Sequence, residues 1–329
     1  MKKIIILLML VFMGVLLLTP LHPGVKKVAQ TGLQFLKVDV GARAAAMGGS
    51  YIMVGNDASA IFYNPAGIAR SESNIDFFLS NTQWIAEINY ISGAVTKNFG
   101  SIGTFGLSYA TADYGDDIIG TRYADSEIGY VETGKMSVGA FAIGLSYARA
   151  MTNKFTIGGQ IKYAYQNLGE NTLSTGKTSK NEVSGLAYDF GTIFYPGFRS
   201  LRIGMSIRNF SPEFKYVEEG FELPLTFILG AAIDVMDFMD QENNSLLISL
   251  DALHPRDYTE RINLGAEYWF MKKFALRAGY KFNYDTEGLS AGFGIKQNIG
   301  FINLLVDYAY SDAGEYFDAI HRFSIGGSF

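Results

Sequence analysis

From about residue 74 to the end of the chain, apolar side chains recur at every second position, and this alternation constrains the fold more than any other feature. Phe155, Ile157, Gly159, Ile161, Tyr163 and Tyr165 form a mainly apolar face, and Thr156, Gly158, Gln160, Lys162, Ala164 and Gln166 form a small or polar one. The split repeats in Phe274, Leu276, Ala278, Tyr280 and Phe282, and again in Ile302, Leu304, Val306, Tyr308 and Tyr310. A period of two belongs to a strand with two unlike faces, not to a helix. Each run has the ~9–11 residues that a tilted strand needs to cross a hydrocarbon layer.

About 14 such runs are present, an even number, as in closed bacterial barrels. They centre near Phe78, Gly93, Leu107, Gly144, Ile161, Phe190, Met205, Gly230, Ser249, Ala266, Gly279, Gly292, Val306 and Ile325. Tight turns at 97–100, 152–154, 271–273 and 297–300 alternate with longer loops near 111–135, 168–183, 212–224, 254–260 and 311–320. The stretch 235–245 is a mid-length exception on the short side. Such sorting fits short turns facing the periplasm and long loops facing outward. Tyr109, Tyr147, Tyr165, Tyr195, Phe270 and Tyr310 lie near strand ends, where aromatic girdles form. The final strand carries Phe323, Ile325, Gly327 and Phe329, and the terminal Phe329 resembles the assembly signal of outer-membrane barrels.

Composition agrees with this reading. Charged residues are 18% of the chain, against roughly 25% in soluble domains. Aromatics at 14% are too many for a disordered chain. Cysteine is absent, which removes disulfides, thiolate catalysis and thiolate zinc sites. A net charge of −5 gives no nucleic-acid footprint. The N-terminus, Met1-Lys2-Lys3 followed by the apolar run Ile4–Leu18, reads as a signal peptide over 1–29. That run is shorter than the ~20 residues of a spanning helix. Ala29 is a candidate −1 residue although Lys27 departs from the small-x-small pattern, and an uncleaved anchor is the alternative.

Between leader and barrel lies a segment, 30–73, long enough to fill a lumen. It contains Gly41-Ala-Arg43-Ala-Ala-Ala-Met47-Gly48-Gly49, then Asp57-Ala-Ser-Ala, then Asn64-Pro65-Ala-Gly67. The alanines favour a short helical turn that Gly48-Gly49 ends, and Asn-Pro-Ala-Gly favours a tight turn. Inward-facing strand positions are small, as in Ala140, Ala142, Gly144, Ser146 and Ala148. Others are charged, including Lys162, Asp251, Glu267, Arg277, Lys281 and Asp307. A Lys or Arg facing lipid at mid-depth costs roughly 2–4 kcal/mol, so these charges are expected to pair across the lumen and tie the segment down.

This motif series ahead of a barrel ending in Phe resembles the FadL superfamily, and within it the PorV/PorQ-like outer-membrane proteins of bacteria in or near the Bacteroidetes. The resemblance runs from about Phe35 to Phe329 and is sharpest over 41–67. It implies an all-β transmembrane antiparallel β-barrel of about 14 strands over 74–329, with residues 30–73 as a hatch in the lumen. Two roles are implied. PorV-like members engage exported cargo proteins for type IX secretion, and FadL-like members pass hydrophobic molecules such as fatty acids.

The residues expected to serve each role differ. Phe210, Phe214, Tyr216 and Phe221, near an external loop, are candidate anchors for secreted cargo or secretion-system components; packing of the loop on itself is the alternative. Met47, Ile52, Met53, Ile61 and Phe62 are candidate contacts for a hydrophobic small molecule. Outer-membrane lipid and the barrel-assembly machinery are the other expected partners. His22, His254 and His321 are too dispersed for a metal site, and no cofactor motif occurs. Ser324 and His321 fall on opposite strand faces, so no enzymatic activity is expected.

Overall fold

The alternating runs become strands, and fourteen of them close a ring. The computed structural model describes residues 31–115, 118–125, 127–172, 178–216, 219–239 and 243–329, and the leader expected over 1–29 lies outside the described residues. In chain order the first strands are β1 (Ile75–Gln83), β2 (Asn89–Asn98), β3 (Thr104–Asp113), β4 (Ile119–Tyr123), β5 (Tyr130–Lys135) and β6 (Gly139–Thr152). Next come β7 (Phe155–Thr172), β8 (Thr178–Phe194), β9 (Arg202–Phe210), β10 (Phe214–Lys215), β11 (Gly220–Phe221) and β12 (Thr226–Asp234). The last six are β13 (Ser245–Pro255), β14 (Arg261–Phe270), β15 (Phe274–Phe282), β16 (Leu289–Ile299), β17 (Ile302–Ser311) and β18 (Ile320–Ser328). Strands β4–β5 and β10–β11 are separate hairpins, and each of the other fourteen holds one of the run centres named above.

Every wall strand pairs antiparallel with its neighbours, and β1 meets β18 from Asp76↔Ser328 to Gln83↔His321. Beyond that ladder, Ile75 and Phe329 exchange two backbone hydrogen bonds of 2.9 Å each. Closure is what lipid demands, because an open edge would leave amides without partners. Leu79, Leu145, Ile161, Phe190, Leu276 and Phe323 are exposed on the outside, while Ser80, Ser146, Gln160, Asp189, Arg277 and Arg322 are buried within. An apolar exterior around a polar interior is the inverse of a soluble barrel and marks a lipid-facing wall.

Two details differ from the sequence reading. Much of 168–183 is strand, because β7 and β8 stay paired out to Thr172↔Thr178. Backbone pairing continues past the apolar band, so the hydrophobic pattern ends before the hairpin does. Tyr195, expected in a girdle, follows the end of β8, packs against the core containing Tyr51 and Met53, and lies under Arg70 at 5.8 Å. Tyr109, Tyr147, Phe270 and Tyr310 do face outward.

Residues 31–70 occupy the ring. The segment contacts all fourteen wall strands, from Phe78 on β1 beside Gly41 to Ser324 on β18, whose Oγ accepts from Ala42 N at 3.2 Å. A segment touching every strand of a closed ring lies inside it.

Candidate functional site

The interior segment is built from local signals. Gly41 (φ 86°) starts helix α1 (Ala42–Ala46), and Gly48 and Gly49 end it with φ of 65° and 74°. These positive values suit glycine, whose missing Cβ also lets Gly48 lie directly on the backbone of Gly279 in β15. Asp57 caps the 3-10 turn Ala58–Phe62 through Ser59 N. Asn64 caps the turn Pro65–Arg70 by accepting from Ala66 N at 3.1 Å, with Pro at the first position, where no N–H is needed. Its amide donates to Ile52 O and to Thr192 O on β8, both at 3.2 Å.

Charge holds the segment to the wall. Arg43 grips Glu267 on β14 with two contacts of 2.7 and 2.8 Å. Glu267 also accepts from Arg277 at 2.6 Å, and Arg277 reaches Asp307 at 2.7 Å. Asp251 accepts from Tyr51 N and Ile52 N at 2.9 and 3.2 Å. Ser206 donates to Tyr63 O at 2.7 Å, and Ser50 donates to Ser249 at 2.9 Å. On the inner face of the wall, Lys162 of β7 pairs with Asp189 of the neighbouring β8 at 2.8 Å.

At the long-loop end a cavity of ≈ 620 Å³ opens between residues 32–39 and the wall. Its aromatic lining includes Trp84, Tyr90, Tyr114, Tyr216, Tyr258 and Tyr284. Arg261 lies between the rings of Tyr258 and Tyr284 at 4.1 and 4.0 Å. The Nε atoms of Arg261 and Arg208 are buried without a hydrogen-bond partner among the described residues. Lys37 bridges to Asp257 at 2.9 Å, and Lys281 pairs with Asp39 at 2.8 Å and Glu287 at 3.0 Å.

These mouth charges titrate away from their ordinary values. Burial opposes ionisation of Asp39, but Lys281 and Arg322 outweigh it and hold the carboxyl low. Burial likewise opposes ionisation of Asp257, which its bond to Lys37 overcomes, leaving it low as well. Lys37 is pushed down, because burial exceeds what Asp257 returns. Tyr216 is pushed up to about 12 by burial. At the short-turn end, a more polar chamber of ≈ 420 Å³ is lined by Arg43, Asp57, Asp76, Lys296 and Asp307 among others.

The residues singled out from sequence separate into groups. Gly41, Arg43, Met47, Gly48, Gly49, Asp57, Asn64, Pro65 and Gly67 lie together in the interior segment, where they shape and anchor it. Met47, Ile52, Met53 and Ile61 are fully packed and border none of the three cavities described, whereas Phe62 borders a void of ≈ 40 Å³. Phe214 turns inward and is buried over Gly185, and Phe221 stacks on Tyr216 at 5.1 Å. Phe210 alone of the four loop aromatics is exposed, at the end of β9. Sequence reasoning missed Trp84, Tyr258, Arg261 and Tyr284, which sit in or beside connections and follow no period.

A family model for the type IX secretion system protein PorV matches residues 23–254. No curated protein sequence matches the chain. Among solved structures, the toluene transporter TbuX of Ralstonia pickettii is similar with a TM-score of 0.56 at 16% identity, covering 88% of this chain and 98% of its own. A FadL homologue of Pseudomonas aeruginosa gives 0.55 at 12%, covering 89% and 98%. The toluene transporter TodX of P. putida gives 0.56 at 13%, covering 88% and 98%. At these identities the structural likeness concerns the fold, a FadL-like barrel of the bacterial outer membrane. With the PorV model matching well over half of its length, the chain belongs to the PorV family of outer-membrane β-barrel proteins.

Proposed function

We propose that this barrel is a non-enzymatic accessory of type IX-type secretion that engages exported cargo proteins at its long-loop face. The observation that carries this reading is the contrast between a filled lumen and an open, aromatic-lined mouth. Residues 30–73 act as a hatch that keeps the membrane sealed, held by Arg43–Glu267 and the contacts of Asp251. Cargo docks on the rim formed by the loops 111–135 and 212–224, where Phe210 offers an exposed anchor.

The test is a photo-crosslinker placed at Phe210 or Tyr216 in cells of the native host. Capture of an exported protein bearing a type IX signal domain supports the reading, provided that trimming 119–135 abolishes it. Capture of no protein, with a lipid or fatty acid retained in the purified barrel, overturns it.

A second reading is favoured by the ≈ 620 Å³ mouth cavity. A FadL-type channel for hydrophobic small molecules would use this space as its entry site. The contacts would then be the mouth aromatics rather than Met47, Ile52, Met53 and Ile61, which are already packed. Uptake of a radiolabelled hydrocarbon into cells, lost on filling the cavity with Tyr114→Trp, would support it.

A further inference from the structure

Three neighbouring short turns, covering 97–104, 149–155 and 194–202, contain no Asp or Glu. They do contain Lys97, Arg149, Lys154 and Arg199, all four exposed, and none forms an ion pair among the described residues. Arg199 lies over the ring of Phe238 at 5.7 Å, and with no carboxylate in these turns the four cations on one arc of the rim call for an external counter-charge.

The arc is also apolar. Lys97 lies beside Phe105 in the β2–β3 ladder, and Phe105 lies beside Tyr147 in the β3–β6 ladder. Arg149 is the next residue after Tyr147 on the same outer face. Phe99, Phe105 and Tyr147 form a continuous ring cluster, with centroids 5.7 and 5.0 Å apart. Tyr147 donates to Ile102 O at 2.6 Å, which fixes the turn against the wall. Phe99, Ile102, Met151 and Phe198 are exposed at the tips. At the other end of the barrel the exposed loop charges are largely acidic, including Asp113, Asp125, Glu127 and Glu132.

We infer that this arc of the short-turn rim binds anionic phospholipid headgroups of the periplasmic leaflet. The rings and Met151 continue the lipid-facing band to headgroup level, and the four cations extend past them to where lipid phosphates lie. Because the rings lie at the edge of the lipid-facing band, a phospholipid would neighbour this arc in the bilayer, and a protein partner would have to displace it. Net negative headgroups are favoured over zwitterionic ones because the arc offers no carboxylate to a choline or ethanolamine group.

The test uses the full-length barrel, delipidated in detergent and offered equimolar phosphatidylglycerol and phosphatidylcholine before native mass spectrometry. Phosphatidylglycerol is expected to be retained over phosphatidylcholine by about tenfold, and less so at 0.5 M salt as screening shortens to roughly 4–5 Å. The variant K97Q/R149Q/K154Q/R199Q is expected to lose that preference, whereas K272Q/K273Q, on a different turn, keeps it. Folding of both is checked by the heat-dependent shift of the barrel on a gel. If the fourfold variant does not fold, the pair K97Q/R149Q replaces it and is expected to lose about half of the preference on a logarithmic scale. Equal retention of the two lipids by the unmodified protein, or an equal loss in K272Q/K273Q, overturns the assignment.

Discussion

Arg43 and Glu267 stand 224 residues apart in sequence and meet in a two-pronged ion pair at 2.7 and 2.8 Å. Through Glu267 the pair continues to Arg277 and Asp307, so charge alternates in sign from the interior segment into β17. Removing one member strands the others in a buried site, which costs about 3–5 kcal/mol. Glu267→Gln should therefore leave the heat-shifted barrel on a gel but expose residues 41–70 to trypsin at Arg43 and Arg70. Undiminished protection would show that the charges do not anchor the segment.

The mouth is tethered by a pair with its own pH dependence. Asp257 accepts from Lys37 and from Thr31, and its carboxyl is held below the usual range despite burial. A depressed carboxyl contributes stability above its unfolded pKa of about 3.9, and that contribution is lost as pH falls through the folded value. Hydrogen exchange in residues 31–39, corrected for intrinsic rates, should stay slow at pH 6 and accelerate as the pH falls below the unfolded carboxyl value of about 3.9. Asp257→Asn should give fast exchange at both.

Gly279 is where a wall strand and the interior backbone touch. A Cβ there would collide with Met47 and Gly48. Gly279→Val should assemble a barrel whose segment is displaced, at a cost of about 1–3 kcal/mol. Planar-bilayer recordings should then show ion conductance absent from the unmodified protein. A silent bilayer would mean that the segment re-seats around the new side chain.

Phe329 and Ile75 close the ring through two mutual backbone bonds. Deleting Phe329 removes both, at roughly 1 kcal/mol each, together with the terminal aromatic. Less assembled barrel should reach the outer membrane, while whatever assembles should melt only slightly earlier. A full yield would separate Phe329 from assembly.

Phe214 fills the space over Gly185 and belongs to the core under the mouth. Phe214→Ala should cost about 3–5 kcal/mol locally and open 211–225 to proteolysis without disturbing the wall. Cargo capture that survives this change would place the docking surface elsewhere on the rim.

The wall was legible because its signal is local. A two-residue period needs only a strand and two environments, so Ile161 against Lys162, or Leu276 against Arg277, already states which side meets lipid. The caps at Asp57 and Asn64 and the glycine pair at 48–49 are also short-range, and the sequence exposed them as punctuation. A periodic pattern cannot say which inward groups meet. Arg43 finds Glu267, and Lys37 finds Asp257, only because ring closure sets their depth and angle. The inward turn of Phe214 and the stacking of Arg261 between Tyr258 and Tyr284 arise in connections, where no period operates. Sequence by itself determined a closed, lipid-facing barrel with a segment available to fill it. Tertiary structure alone decided how that segment is held and what the mouth presents, since both depend on contacts between residues that only the closed ring brings together.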